Sequence, residues 1–360
     1  MSGSRLHEPL REPLNMDISE NKAHIFYYDG DFVLESGAVL RGLQIAYHTF
    51  GHYDATADNA VWVCHALTAN SDVADWWPGT VVPDGFLDPQ KHFTVCANII
   101  GSCYGSTGPT STDPATGQPY YDSFPSLTVR DWARAHSLLA DYLGIRHVGA
   151  LIGSSVGGFQ ALEWAVEEPE RFGRLVLIAT AAKASPWCIA IDETQRMAIF
   201  ADRTYGEKRP GAAATGLEAA RAIGLLTYRG PEGYNRTQAD VAAESDDPVL
   251  EHRACSYQRY QGTKLSRRFN AYSYVRILDA FDTHDTGRGR GGLECALARL
   301  TMPTLVVGIS TDIIFTPSEM QALAAMIPDA HYCEIRSAFG HDGFLVEHGQ
   351  LNNIIKAFGL

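Results

Sequence analysis

The sequence lacks the features of a membrane, secreted or nucleic-acid-binding protein. No apolar stretch approaches the length of a transmembrane helix, and residues 1–22 are polar, without the apolar core of a secretory signal. We expect residues 1–22 to form a loose leader. With 29 Lys and Arg against 42 Asp and Glu, the formal net charge is −13, which argues against nucleic acid or an anionic membrane as the main partner.

The sequence also lacks paired cysteines. Its seven cysteines are scattered, with no Cys-x-x-Cys motif and no zinc-ligand spacing, so no metal site is predicted. An odd, dispersed set is typical of a reducing compartment, and we expect a cytoplasmic protein in which most cysteines are small core residues. Hydrophobic residues make up 45% and charged residues 20% of the composition, which favours one globular core with an insertion.

The order of apolar patterns predicts an α/β fold. Apolar and polar residues alternate over 24–28 and 44–48, as in an antiparallel meander. Continuous apolar runs then alternate with helical segments, which is typical of parallel strands buried on both faces. The runs are 60–65, 93–100, 148–152, 175–179, 304–308 and 332–335, and the helices are 129–143, 159–168, 318–327 and 344–358.

The alternation of strands and helices stops near residue 184 and returns near residue 301. The sequence between these points is mainly helical. We therefore interpret residues 184–300 as a helical lid inserted into one core, which consists of residues 23–183 and 301–360.

The most informative motif is Gly153-Ser154-Ser155-Val156-Gly157, between a predicted strand and a predicted helix. In this position a Gly-x-Ser-x-Gly turn holds a serine on a strained backbone with its hydroxyl exposed, the nucleophile elbow of α/β-hydrolases. Only Ser155 fits the pattern, and the flanking glycines allow backbone to approach closely. The motif predicts an α/β-hydrolase fold with a mostly parallel central sheet and a nucleophilic Ser155.

Two later residues complete a predicted catalytic triad. A serine hydroxyl needs a base, and the base needs an orienting carboxylate; in this fold the chain order is Ser, Asp, His. Asp312 follows the strand at 304–308, and His341 follows the strand at 332–335. Both lie at carboxyl ends of strands, where open α/β sheets bind their ligands.

The chemistry of such a triad also requires hydrogen-bond donors for an oxyanion. We expect one to be the backbone N–H of Val156, directly after the nucleophile. The other is expected to be the N–H of Leu67, in the loop after the third strand, with Thr68 and Asn70 as polar lining.

Several blocks of the sequence closely resemble the homoserine O-acetyltransferase family. They occur in the family's order from about residue 32 to the last helix: HALT (65–68), WWPG (76–79), GSCYGSTGP (101–109), QALEW (160–164), LTY (226–228), SRRF (266–269) and GRGRGG (287–292). The resemblance implies an α/β-hydrolase core with a helical lid and a homodimer formed through that lid.

The resemblance also implies a reaction: ping-pong transfer of an acetyl group from acetyl-CoA to the hydroxyl of L-homoserine, in methionine biosynthesis, without a bound cofactor. The triad would be Ser155, Asp312 and His341. An arginine suits the carboxylate of an amino acid, and an aspartate suits its ammonium group. The implied amino-acid contacts are Arg221, Tyr228, Asp342, Thr68 and Asn70.

Several alternatives stay open. Related enzymes acylate serine or use succinyl-CoA, and this chain has Ser154 and Val156 where the family elbow usually has Gly and Met. A carboxylic-ester hydrolase with the same triad and a non-catalytic scaffold are the other candidates. Arg288 and Arg290 suggest either a site for CoA phosphates or a structural loop in which one arginine pairs an acid such as Asp282 or Asp285; we favour the loop.

Overall fold

A computed structural model describes residues 22–239 and 252–360. Apart from Lys22, the predicted leader lies outside the described residues. The strands are β1 His24–Tyr28, β2 Phe32–Val33, β3 Val39–Leu40, β4 Leu43–Phe50, β5 Ala60–Cys64, β6 Phe93–Ala97, β7 Ala150–Ser154, β8 Leu175–Ile178, β9 Thr304–Ile309 and β10 Ala330–Ile335. The helices are α1 Val73–Trp76, α2 Val129–Tyr142, α3 Val156–Glu167, α4 Pro186–Phe200, α5 Ala214–Tyr228, α6 Pro231–Thr237, α7 Arg253–Ser266, α8 Ala271–Asp282, α9 Leu293–Leu297, α10 Pro317–Met326, α11 Gly343–Val346 and α12 His348–Ala357, with 3-10 turns at Tyr121–Ser123, Pro169–Arg171 and Gly340–Asp342.

The main sheet has eight strands in the order β1-β4-β6-β5-β7-β8-β9-β10. Strand β4 pairs antiparallel with both β1 and β6, and all pairs from β6 through β10 are parallel. Strands β2 and β3 form a separate antiparallel pair. The predicted α/β fold with a mostly parallel central sheet is confirmed. The two segments predicted to belong to an antiparallel meander do pair antiparallel, as β1 and β4, but β2 and β3 between them form their own pair, so the arrangement is not a meander.

Both faces of the sheet are covered by apolar side chains. Every residue of β5, β7, β8 and β9 is buried. Along β5, Trp62 belongs to a large cluster with Trp132 and Trp164, whereas Val61 and Val63 belong to a second cluster. Since successive strand residues point to opposite faces, this division explains why the strand sequences are continuous apolar runs.

Local capping residues determine where two helices next to the sheet begin. Thr128 accepts a hydrogen bond from the Asp131 N–H, and the Asp131 carboxylate accepts one from the Thr128 N–H. Thr316 and Glu319 form the same reciprocal box at the start of α10, where Pro317 occupies the first helical position. Such boxes satisfy N–H groups that have no partner within the helix.

Helices α4 to α9, which we call the inter-strand helices, lie between β8 and β9 in the chain. Because β8 and β9 are neighbouring parallel strands, the chain leaves the sheet at the carboxyl end of β8 and re-enters it in the adjacent position, at the amino end of β9. The division into a core and a lid at residues 184 and 300 stays a prediction. Within 22–239 and 252–360, no helix is long and apolar enough to cross a membrane.

Two predicted boundaries are wrong for identifiable reasons. The single helix predicted over 344–358 is two helices, α11 and α12, because the Phe344 carbonyl accepts a hydrogen bond from the Trp77 indole N–H at 2.9 Å. That carbonyl is the one a continuous helix would bond to residue 348. The strand predicted over 93–100 ends at Ala97, and the Ile99 N–H bonds the His65 ring at 3.2 Å rather than a neighbouring strand.

The pairing predicted for Arg288 and Arg290 is also wrong. Both guanidinium groups are ion-paired, which supports the structural loop, but with other acids. Arg288 contacts both carboxylate oxygens of Glu35, at 2.9 and 2.8 Å, and Arg290 contacts Glu163 at 2.6 Å and Glu167 at 2.5 Å.

The two acids named in that prediction form ion pairs with other residues. Asp282 pairs with Arg196 at 2.6 Å, and Asp285 pairs with Lys183 at 2.9 Å. The spacing along the chain indicated nearby acids, whereas the fold brings in carboxylates from α3 and from the loop after β2.

We expect the ion pairs of the buried Glu163 carboxylate to contribute to the free energy of unfolding. This carboxylate is fully buried on α3 and accepts hydrogen bonds from Arg130 at 3.0 Å and Arg290 at 2.6 Å. Glu163→Gln should lower the free energy of unfolding by about 2–3 kcal/mol, at the low end for a buried ion pair because each arginine keeps another carboxylate. Urea denaturation measures this, with the exposed Glu170→Gln as the control; equal stability of the two variants would contradict the expectation.

Candidate active site

Ser155 forms a strained turn between β7 and α3. Its backbone has φ 54° and ψ −128°, in the left-handed region that side chains rarely adopt. Hydrogen bonds hold both backbone polar groups: the Ser155 N–H donates to the Ile178 carbonyl at 2.9 Å, and the Thr180 hydroxyl donates to the Ser155 carbonyl at 2.8 Å. The surrounding structure thus maintains a conformation that is costly in isolation.

The glycines around Ser155 are required by the closeness of neighbouring backbone. A Cβ added at Gly157 would lie 2.0 Å from the Cys64 carbonyl oxygen, and one at Gly153 would lie 2.2 Å from the Gly157 carbonyl oxygen. Because these obstacles are backbone atoms, a side chain at either position would displace the turn itself.

The Ser155 hydroxyl takes part in a hydrogen-bonded chain with two other side chains. It does not cap α3, although Ser155 is the residue before that helix. Its Oγ lies 2.9 Å from His341 Nε2, and His341 Nδ1 lies 2.7 Å from Asp312 Oδ2. The other carboxylate oxygen of Asp312 accepts from the N–H groups of Ile314 at 2.8 Å and Phe315 at 3.1 Å, which fixes its orientation.

The environment of His341 favours its protonation. Burial acts to lower the pKa of the imidazole, but the carboxylate of Asp312, assisted by that of Asp342, raises the pKa above its usual 6.5. Such a histidine is a stronger base than an exposed one, while Asp312 holds its Nδ1 hydrogen and leaves Nε2 to face the serine.

All the predicted site residues other than Asp312 line one cavity of about 630 Å³. Asp312 lies behind His341 and is 3% exposed. The cavity thus brings together the loop after β5, the elbow, helix α5 and the loop after β10. The predicted residues on its walls are Leu67, Thr68, Asn70, Ser155, Val156, Arg221, Tyr228, His341 and Asp342.

Two backbone N–H groups beside the serine are available to bind an oxyanion. Leu67 and Val156 both line the cavity. Within the described part of the chain, neither N–H has a backbone or side-chain acceptor. Unpaired donors beside a nucleophile are what an oxyanion hole requires.

The polar side chains of the cavity differ in whether they already have a charged partner within the protein. The Arg221 guanidinium lies 5.4 Å from the centre of the Tyr228 ring and has no carboxylate partner among residues 22–239 and 252–360. Burial raises the pKa of Tyr228 to about 12, so its hydroxyl remains a donor. The Asp342 carboxylate, by contrast, already pairs with Arg229 at 2.7 Å.

Several cavity residues were missed from the sequence. Asp192, Lys264 and Arg268 come from helix α4, helix α7 and the residues just after α7. Arg268 lies in a block that resembles the family, but nothing in the block indicated that it lines the site. The predicted substrate residues came from motifs and from the resemblance, and neither shows which faces of the inter-strand helices meet the elbow.

The two departures at the elbow have different surroundings. Val156 lines the cavity, whereas Ser154 is completely buried at the end of β7 and does not line it. An effect on cavity width is therefore expected from Val156 rather than from Ser154.

The raised pKa of His341 leads to a pH-dependent reactivity of Ser155. Neutral His341 is needed to accept the serine proton, so the rate of labelling by a fluorophosphonate should fall as the pH drops through a pKa above 6.5. In Asp312→Asn, His341 stays buried but loses the carboxylate that raises its pKa. The fall in labelling rate on the acid side should therefore occur at lower pH, and the maximal rate should be lower by a factor on the order of 10³–10⁴. Stopped labelling reactions across a pH series measure both; a fall at unchanged pH would contradict the assigned cause.

Comparisons with known proteins identify the fold and the family. The family model described as alpha/beta hydrolase fold matches residues 59–348. The homoserine O-acetyltransferase of Cyclobacterium marinum is 45% identical over 341 residues, which cover 95% of this chain and 96% of that protein. The crystal structure of homoserine O-acetyltransferase from Staphylococcus aureus has a TM-score of 0.77 at 27% identity, over 95% of this chain and 96% of that one.

Esterase E22 shares the fold alone: its crystal structure has a TM-score of 0.85 at 21% identity, over 94% of this chain and 100% of that one. Identity to the acetyltransferases is higher and spans nearly the whole chain. With its α/β-hydrolase fold, this chain belongs to the homoserine O-acetyltransferase family.

Proposed function

We propose that this protein is an L-homoserine O-acetyltransferase that transfers the acetyl group of acetyl-CoA by way of an acyl-enzyme on Ser155, a step of methionine biosynthesis. The observation that carries the proposal is the hydrogen-bonded chain Ser155–His341–Asp312, which opens into a cavity where Arg221 has no carboxylate partner among the described residues. Family membership supports the reaction, and the geometry supports the roles of the residues.

The first half-reaction acylates the serine. His341 Nε2 accepts the Ser155 proton as Oγ attacks the thioester carbonyl, and the N–H groups of Leu67 and Val156 bind the oxyanion. When the tetrahedral intermediate collapses, the C–S bond breaks and His341 returns the proton to the departing CoA thiolate. Acetyl-Ser155 remains.

The second half-reaction transfers the acetyl group to the acceptor. His341 takes the proton of the homoserine hydroxyl, whose oxygen attacks the acetyl-serine carbonyl. Collapse of this intermediate breaks the bond to Ser155 Oγ, which regains its proton from His341. A bound hydroxyl at high effective concentration outcompetes water for the acetyl group.

The acceptor would be held by polar groups that α5, the loop after β10 and the loop after β5 bring to the cavity. Arg221 and the Tyr228 hydroxyl suit the carboxylate of an amino acid. Asp342 suits its ammonium group, and the 2.7 Å contact from Arg229 holds that carboxylate in place. Thr68 and Asn70 supply further polar atoms on the β5 side.

The donor's phosphates would bind at the cationic side of the cavity rather than at Arg288 and Arg290, which are ion-paired. Lys264 and Arg268 are exposed and line the cavity, and no carboxylate pairs with either of them among the described residues. Arg268 donates hydrogen bonds to the Thr68 carbonyl at 2.6 Å and to the Tyr104 hydroxyl. In a chain with a net charge of −13, two cations at a cavity without a carboxylate partner in the described residues suit an anionic ligand.

A homodimer through the inter-strand helices forms part of the proposal. Exposed apolar side chains occur on α4, α5 and α7, and an exposed apolar surface of this kind suits a second copy of the chain: Met197, Phe200, Leu226 and Tyr260. Seven free cysteines, three of them buried, support the cytoplasm as the compartment.

The function is tested by the substrates and by the nucleophile together. Wild-type enzyme should release CoA thiol from acetyl-CoA at a rate that depends on homoserine, and Ser155→Ala should form no acyl-enzyme detectable by intact mass. Ser154→Ala is the matched control and should retain activity, since Ser154 does not line the cavity.

Other outcomes of that test would change the assignment. Testing acetyl-CoA and succinyl-CoA against homoserine and serine identifies the donor and acceptor from the product masses. Acylation of serine alone would replace the acceptor, preference for succinyl-CoA would replace the donor, and thiol release that ignores every acceptor would make the protein a hydrolase.

The proposed phosphate contact is tested by comparing acetyl-CoA with the shorter acetyl donor acetyl-pantetheine. Lys264→Gln should raise KM for acetyl-CoA about tenfold, because one charge-assisted hydrogen bond to a phosphate is lost. It should leave KM for acetyl-pantetheine unchanged, because the part of CoA that this donor lacks carries the phosphates. Lys356→Gln, which changes a lysine outside the cavity, should alter neither KM. An equal rise for both donors in Lys264→Gln would contradict a phosphate contact.

A further inference from the structure

We propose that His65 and Thr180 are positioning residues for the oxyanion hole: each aims one N–H donor by holding the carbonyl at the other end of the same peptide group. This inference rests on the proposed function, since it concerns the same chemistry. It gives two buried side chains that do not line the cavity a role in catalysis.

The planarity of the peptide group provides the physical link. In a trans peptide the C=O of one residue and the N–H of the next lie in one plane and point in opposite directions. The Ala66 carbonyl and the Leu67 N–H belong to one such group, and the Ser155 carbonyl and the Val156 N–H belong to another. A hydrogen bond that fixes either carbonyl therefore fixes the direction of its N–H.

Each of these carbonyls has a side-chain donor. His65 Nδ1 lies 2.8 Å from the Ala66 carbonyl oxygen, and the Thr180 hydroxyl lies 2.8 Å from the Ser155 carbonyl oxygen. The Gly158 N–H also donates to the Ser155 carbonyl, at 2.9 Å. The Ala69 N–H likewise donates to the Ala66 carbonyl, at 3.1 Å. Each carbonyl is thus held by one backbone donor and one side-chain donor, and loss of the side-chain donor leaves the orientation of the peptide group less restricted.

The surroundings of His65 determine its protonation and its tautomer. The ring is completely buried, and Nε2 accepts the Ile99 N–H at 3.2 Å, so the hydrogen of the neutral ring lies on Nδ1. Burial lowers the pKa of His65 to about 4, and the ring therefore stays a neutral, single-tautomer donor to Ala66 at physiological pH.

A buried glutamine connects the two halves of the hole. The Gln160 amide nitrogen donates to the His65 carbonyl at 3.0 Å and to the Val156 carbonyl at 3.3 Å. His136 Nε2 lies 3.0 Å from Gln160 Oε1, which sets the amide so that its nitrogen faces the two carbonyls. The β5 loop and the start of α3 are thus held at a constant separation.

The experiment compares pairs of variants that differ in one donor. Thr180→Val keeps the shape of the side chain and loses the hydroxyl, whereas Thr180→Ser keeps the hydroxyl. For both p-nitrophenyl acetate and acetyl-CoA, Thr180→Val should lower kcat about tenfold and leave KM unchanged. This effect is smaller than that of removing an oxyanion donor completely, because the Val156 N–H is still present. The kcat of Thr180→Ser should stay within about twofold of wild type. Thr304→Val, which removes a buried hydroxyl on β9, should change stability without changing kcat.

The second pair tests His65 and remains informative if a threonine variant fails to fold. His65→Asn keeps an N–H near the position of Nδ1, and His65→Leu has none; both lose the acceptor for Ile99. Infrared spectra of the ¹³C-acetyl-enzyme should show the ester carbonyl stretch at higher wavenumber in His65→Leu and Thr180→Val than in His65→Asn and Thr180→Ser, because a less polarised carbonyl has a stiffer bond.

The outcomes separate this inference from the proposed function. Equal kcat and equal carbonyl frequency within each pair would overturn the positioning roles, even if acetyl transfer to homoserine is observed. If the wild-type enzyme turns over p-nitrophenyl acetate but never transfers acetyl groups to an acceptor, the proposed function fails, and the same pairs still test the positioning roles on ester hydrolysis.

Discussion

The strained backbone at Ser155 is the constraint on which the rest of the site depends. A left-handed φ at a serine is unfavourable by itself. It persists because β8, through the Ile178 carbonyl, and the segment after β8, through the Thr180 hydroxyl, hold the two backbone polar groups of the residue. The same turn requires glycine at 153 and 157, where any side chain would meet backbone oxygen. It also leaves the serine hydroxyl free of the capping role that Thr128 and Thr316 perform at other helices, so that it bonds His341 instead.

The charges of the site are arranged around that turn in two ways. Asp312 is fixed by two backbone N–H groups, so its negative charge acts on His341 from a constant position and raises the pKa of the imidazole despite burial. Elsewhere on the cavity wall, Arg221 has no carboxylate partner in the described chain, while Asp342 is held by Arg229. One charge is therefore free to meet an anionic group, and the other is held in place before a substrate arrives.

Sequence reasoning succeeded where the chemistry is local and failed where partners are distant. The elbow was predictable because the glycines, the strand before it and the helix after it are all encoded within a few residues. The closeness of Asp312 and His341 to Ser155 was predictable because parallel strands bring their carboxyl ends to one edge of the sheet. The break before α12 was not, because it depends on the Trp77 indole from the other end of the chain. The acids around Arg288 and Arg290 were missed for the same reason, since α3 and the loop after β2 supply them.

The sequence by itself determined the α/β fold, the order of the strands along the chain and the residue types of a serine-based site, because periodicity, turn glycines and capping boxes act over short distances. Only the tertiary structure decided which inter-strand side chains enter the cavity, which cations have no carboxylate partner among the described residues, and how His65, Thr180 and Gln160 support the two N–H donors beside Ser155. Those relations depend on contacts between residues that are far apart in the chain, and a hydrogen bond between such residues exists only once packing has brought donor and acceptor to within about 3 Å of each other.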